Sequence, residues 1–178
     1  MSIQNVKPFW HRHSALAFDV STRSTGWAMW TDCRIISGVI QPPKKLELLW
    51  ERIRYIHREV KDLLYDNADV DYGVFMEETI PKGFHMVAVL SEARASVITA
   101  IPSILTFENV SPSTWKSYFK CVTGNSDRDK ETAHKMMCQL WHKDFPVTML
   151  GKEKSYDETD AVAVLTYGIY NKSYEEAQ

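Results

Sequence analysis

The 178-residue chain lacks most of the features that would assign it to a class at sight. No apolar run approaches the ~20 residues that a membrane-spanning helix needs. The opening segment, MSIQNVKPFWHRH, has no apolar stretch of the kind a signal peptide carries. Cysteines are few and odd in number (Cys33, Cys121 and Cys138), with no CxxC spacing, so neither a disulfide framework nor a zinc site is indicated. A cytoplasmic protein is the expectation. There are no repeats or low-complexity segments. A basic excess is also missing: the formal net charge is −2, which on its own does not announce a nucleic-acid binder.

What is present is core material. Hydrophobic residues make up 44% of the chain and aromatic residues 12%, enough for one globular domain. We place it at residues 14–171, between an N-terminal extension (1–13) and a frayed tail (172–178). Charge is unevenly spread. Between Ser111 and Lys154, eight basic residues face five acidic ones, and the helical stretch Lys44–Lys61 adds Arg52, Arg54 and Arg58. Were four carboxylates consumed by metal ions, the remaining balance would be +2. Solvated faces explain the same distribution equally well.

Ala15–Phe18 reads as an apolar strand ending in a carboxylate, Asp19. The turn Ser21–Thr25 follows, and Gly26 opens a second strand, Trp27–Trp30; Arg34–Gln41 alternates as a third. From Lys44 to Tyr65 the apolar positions Leu49, Ile53, Ile56, Val60 and Leu63 step by 4, 3, 4 and 3, an amphipathic helix. Asp71–Glu78 is a short buried strand ending in acid. A meander joined through a helix to a further strand requires a parallel crossover, hence a mixed sheet. The remaining expectations are a helix over Phe84–Ala100, a strand over Ser103–Glu108, and a short helix from Ser111-Pro112 to about Lys120. A loop around Thr123–Ser126 leads to a helix over Asp129–His142, and a second loop to a last helix over Asp157–Tyr170.

Three acidic places stand out: Asp19, the pair Glu77/Glu78, and Asp157 with Asp160. The i, i+3 spacing puts Asp157 and Asp160 on one helical face. That face continues through Ala161, Val164 and Gly168, small and apolar enough to pack tightly on a sheet, while Glu158 projects elsewhere. Alone, Asp157 and Asp160 would be an ordinary helix N-terminal pair. The order of strand–Asp, strand–Glu and helix with DxxD points further. Four converging carboxylates repel unless a cation lies between them, and oxygen-only ligands select Mg²⁺ or Mn²⁺.

Motif by motif, the chain resembles RuvC-type Holliday junction resolvases of the RNase H-like superfamily. The matches are FDVSTRSTGWA, YGVFMEE, the LSEARAS helix, SPSTWK with a downstream TGNSDRDK, and YDETDAVAV, in family order across residues 15–169. The DVS…TGWA form resembles versions carried by bacteriophages. The resemblance implies an α/β, RNase H-like fold with a five-stranded mixed sheet. It also implies a Mg²⁺- or Mn²⁺-dependent endodeoxyribonuclease with two ions per subunit, held by Asp19, Glu77, Asp157 and Asp160. Glu77 is chosen because it follows the apolar FM, whereas Glu78 points to the opposite side of the strand. Lys116 and Lys130 match basic positions near the scissile phosphate, and Lys120 and Arg128 would extend that strip along DNA. The implied reaction is paired nicking of four-way junctions or other branched DNA by a homodimer, leaving 5′-phosphate and 3′-hydroxyl ends. The Phe84–Ala100 helix would lie at or near the two-fold interface.

The chain departs from the family in its acidic balance, its longer Thr123–Arg128 loop, and an Ile80 near the position of a wedging aromatic, a role that could pass to Phe84. Three rival readings are a nuclease of the same fold acting on flaps, forks or RNA–DNA hybrids, an inactive DNA-binding module, and a sugar-kinase/actin ATPase. The last needs two such domains, which 178 residues can hardly supply. The remaining conspicuous residues have plainer readings. Trp27 and Trp30 are core or dimer contacts, Trp115 packs its helix, and Thr22 and Ser24, beside Asp19, are explained equally well by a turn and by hydrogen bonds to phosphate. His11, His13, His134 and His142 are expected in solvent.

Overall fold

The computed structural model describes residues 13–32, 34–67, 73–78, 83–123, 130–150 and 153–175. Its centre is a five-stranded sheet ordered β3-β2-β1-β4-β5. Strands β1 (Ala15–Asp19), β2 (Thr25–Thr31) and β3 (Arg34–Ile40) form the antiparallel meander. Strands β4 (Gly73–Glu77) and β5 (Thr106–Val110) add to it in parallel. The mixed sheet expected from the meander-plus-crossover pattern is the one observed. Parallel pairing brings the C-terminal ends of β1, β4 and β5 to one edge, so the acids that close β1 and β4 lie side by side.

Alternation along β1 decides which layer covers which face. Ala15 and Ala17 belong to the core beneath α5 (Asp157–Glu175), together with Ala28, Trp30 and Phe75. Leu16 and Phe18 point the other way, with Met29, Val74 and Met76, against α1 (Leu49–Asp66) and α2 (Phe84–Ala100). Alanines on the α5 side leave room for a helix to lie close on the sheet. That helix answers with Ala161, Val164 and Gly168, where an added Cβ would stand 2.6 Å from the Phe75 ring. Helices α3 (Pro112–Thr123) and α4 (Lys130–Trp141) complete this layer, with Trp30 tilted against Trp141 at 5.7 Å.

Several boundaries differ from the sequence expectations. Helix α1 starts at Leu49 rather than Lys44: Glu51 reaches back to the Leu48 backbone N–H and closes the first turn there. Strand β5 begins at Thr106, because Pro102–Leu105 is spent on a turn held by the Leu105 N–H on the Pro102 carbonyl. The loop before α5 contains a small hairpin, β6 (Thr148–Leu150) with β7 (Glu153–Ser155), which has too few residues to show a period. Helix α5 continues to Glu175, five residues past the expected end at Tyr170, and takes in part of the segment expected to fray. Almost all of the N-terminal extension lies outside the described residues, as do Arg128 and Ile80. Among the described residues, no helix is long and apolar enough to cross a membrane.

Candidate active site

The acidic edge is assembled by one close approach. Asp19, the last residue of β1, pairs with Gly26 across the β1–β2 ladder. On the α5 side of Gly26 lies the start of α5: a Cβ placed there would stand 1.8 Å from the Asp157 carbonyl oxygen and 2.8 Å from the Glu158 nitrogen. Only glycine lets that first turn settle on the strand end, and the turn carries both Asp157 and Asp160. Sequence reasoning gave Gly26 a role only in opening a strand. Its contact partner lies 131 residues away, and no local pattern announces it.

The four acids fall within electrostatic reach of one another. Burial pushes the Asp19 carboxyl well above the ordinary carboxylate range, and repulsion from Glu77, Asp160 and Asp157 adds to it; Lys130 opposes the shift. Burial likewise raises Glu77, with Asp160 adding; the Trp115 indole, Lys116 and a hydrogen bond shared with Asp19 act against it. Asp19 and Glu77 thus form a coupled pair of carboxylates in which ionisation of one makes ionisation of the other costly. Asp160 is 4% exposed and receives the Lys130 ammonium at 2.9 Å. One Asp157 oxygen, Oδ2, is buried with no hydrogen-bond partner among the described residues.

Glu77 is held from two sides. The Trp115 indole N–H donates to its Oε1 at 3.3 Å. The Arg94 guanidinium, reaching from α2, donates to the Glu77 backbone carbonyl through Nη1 and to Asn109 Oδ1 at 2.5 Å through Nη2. Arg94 thus ties the ends of β4 and β5 to α2. Burial lowers its pKa from the usual arginine value, against the pull of Glu78, Glu77 and Asp19. The LSEARAS segment offered a signal for this residue, an arginine among small and apolar neighbours, but its partner is a backbone carbonyl that sequence does not reveal. Glu78 is exposed, and its backbone N–H bonds the Val110 carbonyl.

The other candidate residues separate clearly. Lys116 is half-buried, stacks over the Trp115 ring at 4.9 Å and acts electrostatically on Glu77. Lys120 lies exposed one helical turn beyond it. Trp115 is 1% exposed, so it packs its helix and is closed to DNA. Trp30 is core, and Trp27 is half-buried over Gly38. Ser21, not Thr22, organises the turn: its hydroxyl donates to the Ser24 carbonyl, and its own carbonyl accepts the Thr25 hydroxyl.

His134 contradicts its expected place in solvent. It is half-buried, with Nδ1 2.8 Å from the Thr159 hydroxyl and its ring against Tyr156, because α4 docks on the first turn of α5. His142 is exposed, as expected. Glu158 does project away from the other acids, yet not into water: it is 4% exposed and accepts a 2.8 Å hydrogen bond from Ser37 on β3.

A cluster of carboxylates, Asp160 buried and Asp19, Glu77 and Asp157 half-buried, is a donor set suited to hard divalent cations. Among the described residues, however, no three His, Cys, Asp or Glu side chains close into a ready-made metal cage. The Lys130 ammonium stands at this edge against Asp160.

Comparison with known proteins agrees with the architecture. The structure is similar to T. thermophilus RuvC in complex with Holliday junction substrate, at 16% identity and TM-score 0.67, covering 90% of this chain and 95% of that one. It is likewise similar to a second Thermus thermophilus RuvC structure, at 17% identity and TM-score 0.64, covering 89% and 95%. These likenesses show the fold, the RNase H-like arrangement of a mixed five-stranded sheet flanked by helices. No curated protein matches the chain. Residues 12–168 match the family described as "DUF3882: Lactococcus phage M3 protein", and the chain belongs to that family.

Proposed function

We propose that this protein is a phage-encoded, divalent-metal-dependent endonuclease that nicks branched DNA, four-way junctions above all. The observation that carries the reading is the meeting of Asp19, Glu77, Asp157 and Asp160 at one sheet edge, with Asp19 desolvated and repelled by the other three. Four acids gathered at one edge weaken a metal-free fold, since desolvation and mutual repulsion both penalise their charged forms. The likeness in fold to T. thermophilus RuvC, whose structure is in complex with Holliday junction substrate, supports the choice of substrate.

In this reading the four carboxylates hold Mg²⁺ or Mn²⁺ through oxygen alone. Two such ions, when bound, supply an activated water and stabilise the departing 3′-oxygen of the phosphodiester. The rest belongs to the chain. Trp115 and Arg94 fix Glu77 from its side chain and from its carbonyl. Lys116, stacked on Trp115, and Lys130 offset charge building on the phosphorus centre. Lys120 and Arg128 follow the DNA backbone beyond them. The products carry 5′-phosphate and 3′-hydroxyl ends.

A homodimer would place two such sites on opposed strands. The exposed Met86, Val87 and Ile98 of α2 support that helix as the shared surface. The deciding experiment is nicking of a synthetic immobile four-way junction in Mg²⁺, beside a flap and an RNA–DNA hybrid of equal length. Paired nicks on the junction alone are expected. Equal nicking of all three would identify a less selective nuclease, and no nicking of any would leave a binding module.

A further inference from the structure

Lys130 is the first described residue of α4, in its first turn, where a positive charge opposes the helix dipole. Helix formation therefore gives no reason for a lysine here. Its neighbour pair Glu131–Lys135, at 3.0 Å, has the favourable order for a helix surface; Lys130 instead reaches off the helix to Asp160 of α5. The two partners are unequal. The Asp160 side chain is 6% exposed and the Lys130 side chain 55% exposed, so the acid is fixed inside while the lysine enters from solvent. Lys130 also lies within electrostatic reach of Asp19 and Asp157.

We propose that Lys130 is the cluster's own counter-ion: its ammonium neutralises the acids in the metal-free chain and withdraws when a divalent cation binds them. This rests on the metal reading of the site. It gives one side chain two successive duties. While paired with Asp160 it relieves repulsion that would otherwise weaken the metal-free fold. Once released, its long stem keeps the charge at the rim, where a substrate phosphate arrives. By linkage, a lysine that favours the metal-free state must weaken cation binding by the same factor.

The test uses the wild-type chain. Surface lysines are acetylated briefly with and without saturating Mn²⁺, and modification is mapped by mass spectrometry while calorimetry follows Mn²⁺ uptake on the same sample. Lys130 should become about fivefold more reactive with Mn²⁺, while Lys120, exposed throughout, should not change. Lys130→Met should lower the metal-free melting temperature, bind Mn²⁺ roughly fivefold tighter, and lose its stability deficit when Asp160→Asn is added. Lys116→Met controls for loss of a nearby positive charge. Mn²⁺ uptake with unchanged Lys130 reactivity, or equal tightening in Lys116→Met, overturns this inference and leaves the metal site standing. No uptake by wild type or Lys130→Met overturns both.

Discussion

Gly26→Ala is the most revealing single change. The new methyl would lie 1.8 Å from the Asp157 carbonyl oxygen and 2.2 Å from its carbon, where ordinary contact is ~3.5 Å. Roughly 1.5 Å of movement is therefore needed. The obstruction is helix backbone, so no rotamer change can supply it: either the α5 N-terminus lifts from the sheet or β2 bows away. We expect a loss of about 3 kcal/mol, the upper end for overpacking, and a melting temperature lower by roughly 6–12 °C for a chain of this size. Function should suffer more than stability. Asp157 and Asp160 ride on the displaced turn, whereas Asp19 stays with β1. A misplacement of about 1 Å can reduce turnover about 100-fold.

The assay is Mg²⁺-dependent nicking of a four-way junction at 15 °C, well below melting, with near-ultraviolet circular dichroism confirming the fold. Gly83→Ala is the control, since a Cβ there meets nothing within 4 Å and the backbone is extended. It should melt and cleave like wild type. Wild-type nicking by a folded Gly26→Ala protein would refute the argument that this contact sets the acids.

Asp19→Asn should abolish nicking while junction binding, read by gel shift, persists. It should also stabilise the metal-free chain by roughly 1–3 kcal/mol at neutral pH, because a desolvated, repelled charge is removed. The sign follows from the raised native pKa of Asp19: its stabilising share is complete below the unfolded value of about 4 and is lost as pH rises through the native one. Urea midpoints of the metal-free wild type should therefore fall with rising pH more steeply than those of Asp19→Asn. Arg94→Ala should cost about 1–3 kcal/mol and lower nicking roughly tenfold with binding unchanged, since the Glu77 carbonyl loses a charged donor. Glu158→Gln should nick within about twofold of wild type, because its carboxylate serves Ser37 on β3 and not the cluster. A loss like that of Asp160→Asn would reassign the acids of this turn.

How much of this was legible beforehand depends on how far each cause reaches along the chain. The strand–Asp, strand–Glu and DxxD order was readable because each acid terminates or opens an element whose period its neighbours declare. The α2 limits came out at Phe84 and Ala100 for the same reason. What stayed hidden has its cause in a distant partner. His134 looked like one more polar residue on a charged helix until α4 lay against Thr159. Glu158 was seen only to project away from its neighbours until Ser37 of β3 met it. Gly26 looked like the opening of a strand until α5 arrived on top of it. These three share one origin, for each is set by where α5 lands. That landing follows from the small residues on both surfaces: Ala15, Ala17 and Ala28 below, Ala161 and Gly168 above. The catalytic reading thus depends on side chains that are missing as much as on those present. Enlarging the alanine face should disturb the acidic edge before it disturbs the sheet.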